Sequence, residues 1–324
     1  MKCLVTGAAG FIGSHLCLRL LKEGHAVKAV DCFTDYYARE IKQANLTELQ
    51  GRDGFSFIPQ DLTEMDLSAL MQGIDAVFHC AAQAGVRASW GANFDVYTRN
   101  NIEATQRLLE AAKQHPVQKF IYASSSSVYG ACPELPMRET SPTRPFSPYG
   151  VSKLAAEHLC LLYFSNYGVP AVSLRFFTVY GPGQRPDMAF HKFFRAIAAG
   201  DPITVFGNGQ QTRDFTFIDD IVEANVSALV RARPGEIYNV GGGHRRILKD
   251  LFPLLEDITH RRVQVKWENP QKGDVPHTAA AIDKAAQDLE YAPRTPLDTG
   301  LEMEWQWIQT LYSPGREKSN VEIG

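Results

Sequence analysis

The chain has 324 residues, 44% hydrophobic and 21% charged, the make-up of an ordinary globule with room for one large or two modest domains. A formal net charge of −3 offers nothing to nucleic acid or an anionic membrane surface, and no apolar run reaches the length of a membrane span, so neither partner is expected. Six scattered cysteines without a C-x-x-C pair, and histidines without metal-ligand spacing, read as free thiols in a reducing cytoplasm, with no disulfide and no metal.

The first stretch, Met1 to Asp31, organises the rest. Cys3-Leu4-Val5 is a short apolar run typical of a buried parallel strand. Gly7, Gly10 and Gly13 follow at three-residue spacing, then a helical stripe (Leu16, Leu20, Leu21), a stop at Gly24 and a second strand, Ala26 to Val30, ending on Asp31. Strand, glycine turn, helix, strand and acid make a complete mononucleotide-binding unit. A chain without side chains at Gly7 and Gly10 lets a pyrophosphate approach the backbone, where free N–H groups and the helix dipole face it; Phe11 and Ile12 continue that turn. Asp31, 18 residues after Gly13, can accept from an adenosine ribose and would repel a 2′-phosphate, which favours NAD over NADP. This segment reads as working sequence, not as a cleavable signal.

From Cys32 to Gln50 the chain reads as a loop and a short helix; Lys42 there either reaches a phosphate or is simply a solvated lysine. Phe55 to Pro59 is a third strand leading to Asp61-Leu62, where Asp61 either accepts from the adenine amino group or caps the following helix. Ile74 to Cys80 is a fourth strand running into small residues from Ala81 that allow close packing on a cofactor. A long helical pattern spans Phe94 to His115, with Asn101 before its apolar stripe. Lys119 to Ala123 is the fifth strand and ends in Ser124 to Ser127. Prolines 142, 145 and 148 then deliver Tyr149 to a helix running to Tyr167, with Gly168 as its stop, before a sixth strand, Ala171 to Phe176. This alternation predicts an α/β fold, a doubly wound parallel sheet of Rossmann type.

Beyond Tyr180-Gly181-Pro182-Gly183 shorter elements (188–199, 203–206, 221–231, 247–259) read as a smaller α+β substrate domain. The expected division is 1–178 for the nucleotide domain, recovering about 217–240, and 179–312 for the substrate domain, with a frayed polar tail at 313–324.

Tyr149 and Lys153 stand at i and i+4, neighbours on one helical face. A nearby ammonium stabilises phenolate and is expected to lower the tyrosine pKa, so that Tyr149 can take a hydroxyl proton while a hydride leaves the same carbon. The serine run about 25 residues upstream would lie with them at the carboxyl edge of the sheet, where open α/β proteins bind ligands.

TGAAGFIGSHL, Ser125 and Tyr149-x-x-x-Lys153 together resemble the extended short-chain dehydrogenase/reductase family, in its nucleotide-sugar epimerase branch, over nearly the whole chain. The resemblance implies a tightly held NAD regenerated each cycle, Ser125 on the sugar 4-hydroxyl, Tyr149 as base, and Lys153 also on the nicotinamide ribose. It makes Asn101 a structural residue at the cofactor's edge and implies a homodimer packed through the two long helices. AGVRASW, ASSSSVYG, RFFTVYGP and GQRPDMAF are similar to UDP-glucuronate 4-epimerases, with Arg185-Pro186-Asp187-Met188 the most specific string. Galactose epimerases usually have asparagine at Thr178, and glucuronate decarboxylases usually have glutamate at Ser127. Hydroxyls at Ser126, Ser127 and Thr178 suit a sugar carboxylate. Arg185 and Arg213 are the expected diphosphate and ribose contacts, with Arg87 facing either the sugar or its own loop. Decarboxylation to a UDP-pentose, epimerisation of a neutral hexose and a non-catalytic NAD sensor are the competing readings. One departure is that Ala280-Ala281 stands where the family commonly has Ala-Asp.

Overall fold

The computed structural model describes residues 1–243 and 245–312; the tail expected to fray, 313–324, lies outside them. Among the described residues twelve strands are interspersed with helices: β1 (Lys2–Thr6), α1 (Phe11–Lys22), β2 (Ala26–Val30), α2 (Arg39–Thr47), β3 (Phe55–Ile58), α3 (Leu67–Met71) and β4 (Ala76–His79). Then come α4 (Phe94–Tyr97), α5 (Ala104–Gln114), β5 (Lys119–Ser125), α6 (Pro148–Tyr167), β6 (Ala171–Phe176), β7 (Thr178–Tyr180), α7 (Ala189–Ala199) and β8 (Ile203–Phe206). The chain continues through β9 (Thr212–Phe217), α8 (Ile218–Arg231), β10 (Ile237–Val240), β11 (Arg245–Ile247), α9 (Phe252–Thr259), β12 (Val265–Glu268), α10 (Asp283–Leu289) and α11 (Leu297–Tyr312).

Seven of these strands form one parallel sheet in the order β10-β6-β5-β4-β1-β2-β3. The strand order reverses between β1 and β4, which opens a crevice at their carboxyl ends. Period-two alternation sorts each strand between two helical layers. Cys3 and Val5 pack with α1 and α8 (Leu16, Leu20, Ile221), whereas Leu4 packs with α3, α5 and α6 (Leu70, Leu108, Cys160). Both faces are covered, so these strands read as near-continuous apolar runs.

Two helix starts matter for the site. Ser147 caps α6 by accepting from Gly150 N at 3.1 Å, Pro148 occupies the first turn, and Gly168 ends the helix in a left-handed conformation. Tyr149 is thereby fixed in the first turn of α6. The long helix expected over 94–115 is present as a continuous run to Gln114, but a π-helical turn, Thr98–Glu103, is inserted between α4 and α5. Periodicity over the apolar residues does not register the extra residue. Its physical role is visible in Asn101, whose Oδ1 accepts from Gln83 N (2.6 Å) and whose Nδ2 donates to Gln83 O (3.0 Å) and Ser152 Oγ (2.8 Å).

The remaining strands form a sheet of β11, β9 and β7 and a pair of β12 with β8. Here β7 follows β6 directly, and aromatic side chains (Tyr180, Phe190, Phe215, Phe217) pack where it meets α7 and β9. The loop without the usual aspartate is held from another strand, since Asp214 accepts from Ala280 N (2.9 Å) and Gly242 N (2.8 Å).

Glu304 of α11 is fully buried, accepting from Gly181 N at 2.7 Å through Oε2 while Oε1 has no partner among the described residues. Burial pushes its carboxyl well above the ordinary value, so the native state holds a proton that the unfolded chain releases. The stability tied to this group is therefore full in acid and declines as pH rises towards the folded pKa. Glu304→Gln keeps the acceptor and removes that loss. Thermal melts are expected to show the variant a few degrees more stable at pH 8 and nearly equal to the parent at pH 5; the same difference at both pH values would contradict a buried neutral acid.

Candidate active site

A cavity of about 790 Å³ opens along the carboxyl edge of the parallel sheet and runs from Gly10 and Asp31, past Ala81 and Ser125, to Arg185 and Arg213. At its nucleotide end Gly7 adopts φ +70°, which turns β1 into α1. Asp31 buttresses this turn, accepting from Ala9 N (3.1 Å) and Phe33 N (2.8 Å). Phe11, Ile12, Leu62 and Gly13 line the same end. Lys42 is not a solvated lysine: it is 5% exposed and donates to Thr34 O (2.7 Å) and Oγ1 (3.1 Å). Nor does Asp61 cap a helix. It folds onto its own loop, accepting from Thr63 N and Oγ1 at 2.8 Å each, with Arg99 on its other oxygen (3.0 Å); Asp66 caps α3 instead.

The catalytic candidates meet where β5 ends. Ser125 is the last residue of β5, and its Oγ accepts from Ser127 N at 3.1 Å, so part of the serine run satisfies its own backbone. Tyr149, half-buried, lies close to Ser125, which favours its ionised form, and packs edge-on with Tyr97. Lys153 lies a turn further along α6, 3% exposed, its Nζ 4.3 Å from the centre of the Tyr122 ring.

The expected lowering of the Tyr149 pKa by Lys153 is not what the structure contains. Burial raises the phenol, opposed first by the charge of Arg185 and then by the neighbouring Ser125 hydroxyl. Burial also lowers Lys153, to about 8, partly offset by Cys80, Cys160 and Glu157. Among the described residues, the cation that favours a phenolate at Tyr149 is therefore Arg185, which sequence spacing does not pair with it.

Arg185 is held by Asp187 through two bonds (Nε–Oδ1 2.9 Å, Nη2–Oδ2 3.0 Å), and Tyr36 donates to the same carboxylate at 3.2 Å. Met188 touches the guanidinium through Sδ at 3.4 Å. This brings Arg185 near Tyr149 within the same cavity. At the far mouth Arg213 donates to Thr212 O (2.9 Å) and Pro276 O (3.2 Å). Arg87 lies over the Phe206 ring (4.1 Å) and pairs with Asp274 (Nη2–Oδ2 2.7 Å). Ser126, Ser127 and Thr178 line the cavity between these two basic ends.

Several residues of the cavity carry no signal that spacing could raise. Lys192 on α7 lines it, and burial lowers its pKa. Asp187 lies inside the most specific string but has no partner in sequence until the fold brings Arg185 and Tyr36 to it. Phe206 at the end of β8, Asp274 in a loop and Asn100 in the π turn come from positions far apart in the chain.

A parallel sheet reversing at a glycine turn, with Ser125 and Tyr149 in contact at its carboxyl edge, defines the short-chain dehydrogenase/reductase class. The chain belongs to the NAD dependent epimerase/dehydratase family, whose model matches residues 3–241. It is 46% identical to the uncharacterized UDP-glucose epimerase YtcB of Bacillus subtilis, covering 96% of this chain and 99% of that one. It is 38% identical to a UDP-glucuronate 4-epimerase of Thermodesulfobacterium geofontis, over 99% and 97% of the two chains. Among solved structures, UDP-glucuronic acid 4-epimerase from Bacillus cereus, in complex with UDP-glucuronic acid and NAD, has a TM-score of 0.94 at 45% identity, covering 96% of this chain and 100% of that one.

Proposed function

We propose that the chain is an NAD-dependent 4-epimerase that interconverts UDP-glucuronate and UDP-galacturonate. The observation that carries this reading is the juxtaposition of Tyr149 with Ser125 and with the Arg185 guanidinium, between hydroxyls and basic groups suited to an anionic sugar nucleotide. The likeness to the Bacillus cereus enzyme supports it over 96% of this chain.

The cavity fits NAD: backbone N–H groups without side chains at Gly7 and Gly10, a carboxylate at Asp31, and a buried ammonium at Lys153 follow one another along it. Bound NAD supplies the acceptor for a hydride from sugar C4 and returns it. Gly7, Gly10, Phe11, Ile12 and Gly13 would hold its pyrophosphate, Asp31, Lys42, Asp61 and Leu62 its adenosine end, and Ala81 and Lys153 its nicotinamide end. Asn101 acts on this site indirectly, by pinning the Gln83 loop.

Tyr149 takes the proton of the 4-hydroxyl, Ser125 orients that hydroxyl, and the 4-keto sugar then turns to present its other face. A 4-keto uronate is a β-keto acid and loses CO₂ when the breaking bond stands perpendicular to the ketone plane. Ser126, Ser127 and Thr178 donate to the carboxylate and hold it out of that alignment. Ser127→Ala is accordingly expected to raise the UDP-pentose fraction several-fold; an unchanged fraction removes Ser127 from this role. Arg87, Lys192 and Arg213 face the diphosphate and ribose, and Met188 packs beside Arg185 at the sugar.

The deciding experiment incubates the purified protein separately with UDP-glucuronate, UDP-galacturonate and UDP-glucose and identifies the products by NMR. Interconversion of the two uronates supports the reading; UDP-pentose as main product, or turnover of UDP-glucose alone, replaces it. We place the nucleotide domain at 1–178 with about 217–240, and the substrate domain at 179–312. The exposed apolar side chains Val151 and Leu162 on α6 support a homodimer packed through the long helices. The six free cysteines support a cytoplasmic enzyme, and no helix among the described residues is long and apolar enough to cross a membrane.

A further inference from the structure

We propose that the buried Glu157–Arg175 pair is a positioning element that fixes the catalytic helix α6 against the serine turn, and so sets how Tyr149 and Lys153 meet Ser125. This rests on the epimerase reading and adds to it a pair, Glu157 and Arg175, that does not line the cavity.

Glu157 lies four residues beyond Lys153 and eight beyond Tyr149, on the same face of α6. Its Oε1 accepts from Arg175 Nη2 at 2.6 Å, and its Oε2 from Arg175 Nε at 3.0 Å and Ser124 Oγ at 2.7 Å. Ser124 and Arg175 are cross-strand partners on β5 and β6. The free edge of the guanidinium donates to Tyr129 OH at 2.7 Å, and Tyr129 donates to Asn239 Oδ1 on β10 at 2.7 Å. Ser124 immediately precedes the candidate residues Ser125, Ser126 and Ser127, and Tyr129 closely follows them. The turn is thus gripped at both ends by one ion pair that is itself anchored on the catalytic helix.

Stability alone does not explain such a pair. Its side chains are 1% and 3% exposed, and two charges buried this deeply pay a desolvation cost that a well-packed apolar pair avoids. A bidentate fork does fix relative orientation, which apolar contacts do not. Glu157 also places a negative charge near the Lys153 ammonium. The titratable and aromatic groups facing Lys153 are Tyr122 on β5, His79 at the end of β4 with Cys80 just beyond it, and Glu157 and Cys160 along α6. Burial holds His79 down to about 3 and raises both thiols, so none of these three carries a charge beside Lys153 in the neutral range.

The test uses the full chain with its bound NAD and three variants: Ser124→Ala, Glu157→Gln, and the paired Glu157→Met/Arg175→Met. Ser124→Ala and the paired variant are expected to keep the parental Tm and NAD content, leave KM for UDP-glucuronate nearly unchanged, and lose about 10- to 100-fold in kcat. Glu157→Gln should in addition move the alkaline limb of the kcat–pH profile to lower pH, because the lysine loses the anion that favours its charged form. Parental kcat in Ser124→Ala or the paired variant, or a loss of kcat matched by lost NAD or a raised KM, overturns the proposal. An unmoved alkaline limb in Glu157→Gln overturns the part assigned to charge. Should the paired variant fail to fold, Ser124→Ala, which removes one hydroxyl, decides the matter. An inactive parent takes the epimerase reading down together with this one, whereas an active parent beside unaffected variants defeats only the positioning role.

Discussion

Tyr149→Phe is expected to reduce turnover of UDP-glucuronate by about 10³-fold while the protein keeps its NAD and its melting temperature. The substitution removes one oxygen from a half-buried side chain whose ring still packs edge-on against Tyr97, so the fold has no reason to respond. What disappears is the acceptor for the 4-hydroxyl proton. Without it, hydride departure from C4 would leave a protonated carbonyl, a high-energy species with no base in reach. Ser125 cannot substitute, because its oxygen already accepts from the Ser127 backbone and lacks any charged partner. Lys153 cannot either, since it lies against the Tyr122 ring. The measurement is single-turnover reduction of bound NAD, followed at 340 nm after mixing with UDP-glucuronate. A variant that still forms the reduced cofactor at the parental rate would remove Tyr149 from the chemistry. A non-catalytic NAD-binding protein would show no turnover before the substitution and no change after it.

The nucleotide half of this site is legible in the sequence because it is local. Gly7, Gly10, Gly13 and Asp31 lie within one strand–helix–strand unit, and short-range geometry sets the glycine turn and the carboxylate that braces it. The Ser125, Tyr149, Lys153 set was also within reach, since i,i+4 spacing and a strand end place all three at one edge of the sheet. What spacing could not supply is electrostatics. It paired the phenol with Lys153, whereas the charge that matters most to Tyr149 comes from Arg185, brought in by a crossover after β7. The same limit explains Lys42, whose helix looks solvated in sequence and is covered by the loop at Thr34. It explains Asp187 as well, an acid with two partners separated from one another by more than a hundred residues. The π turn at Thr98–Glu103 escaped for a different reason: one added residue per turn shifts the apolar stripe too little to be seen over so short a stretch.

Gly13→Ala is expected to yield folded protein from which NAD is lost on purification, with affinity for added NAD lower by about 100-fold. A Cβ at this position would stand 2.2 Å from Gly7 O, 2.8 Å from Gly7 C and 2.9 Å from Ala8 Cα, all of them backbone atoms. No rotamer change relieves a clash with backbone, so either α1 must back away from β1 or the glycine turn must deform. Backing away is opposed by Leu16, Cys17 and Leu20, each fully buried against the sheet. The turn is the softer part, held by Asp31 through Ala9 N and by the Gly10 N to Gly7 O bond at 3.1 Å. Its deformation misaligns the N–H groups that would meet the pyrophosphate, at a cost of about 2–3 kcal/mol. The outcome differs in kind from that of Tyr149→Phe. One variant keeps the cofactor and loses the chemistry; the other keeps Ser125, Tyr149 and Lys153 in place and loses the cofactor. Gly13→Ala should therefore recover activity when NAD is supplied in large excess, which Tyr149→Phe cannot do. Equilibrium titration with NAD, paired with a rescue assay at saturating NAD, reads both quantities. Parental affinity in Gly13→Ala would mean that the glycine spacing serves only to pack α1 on the sheet.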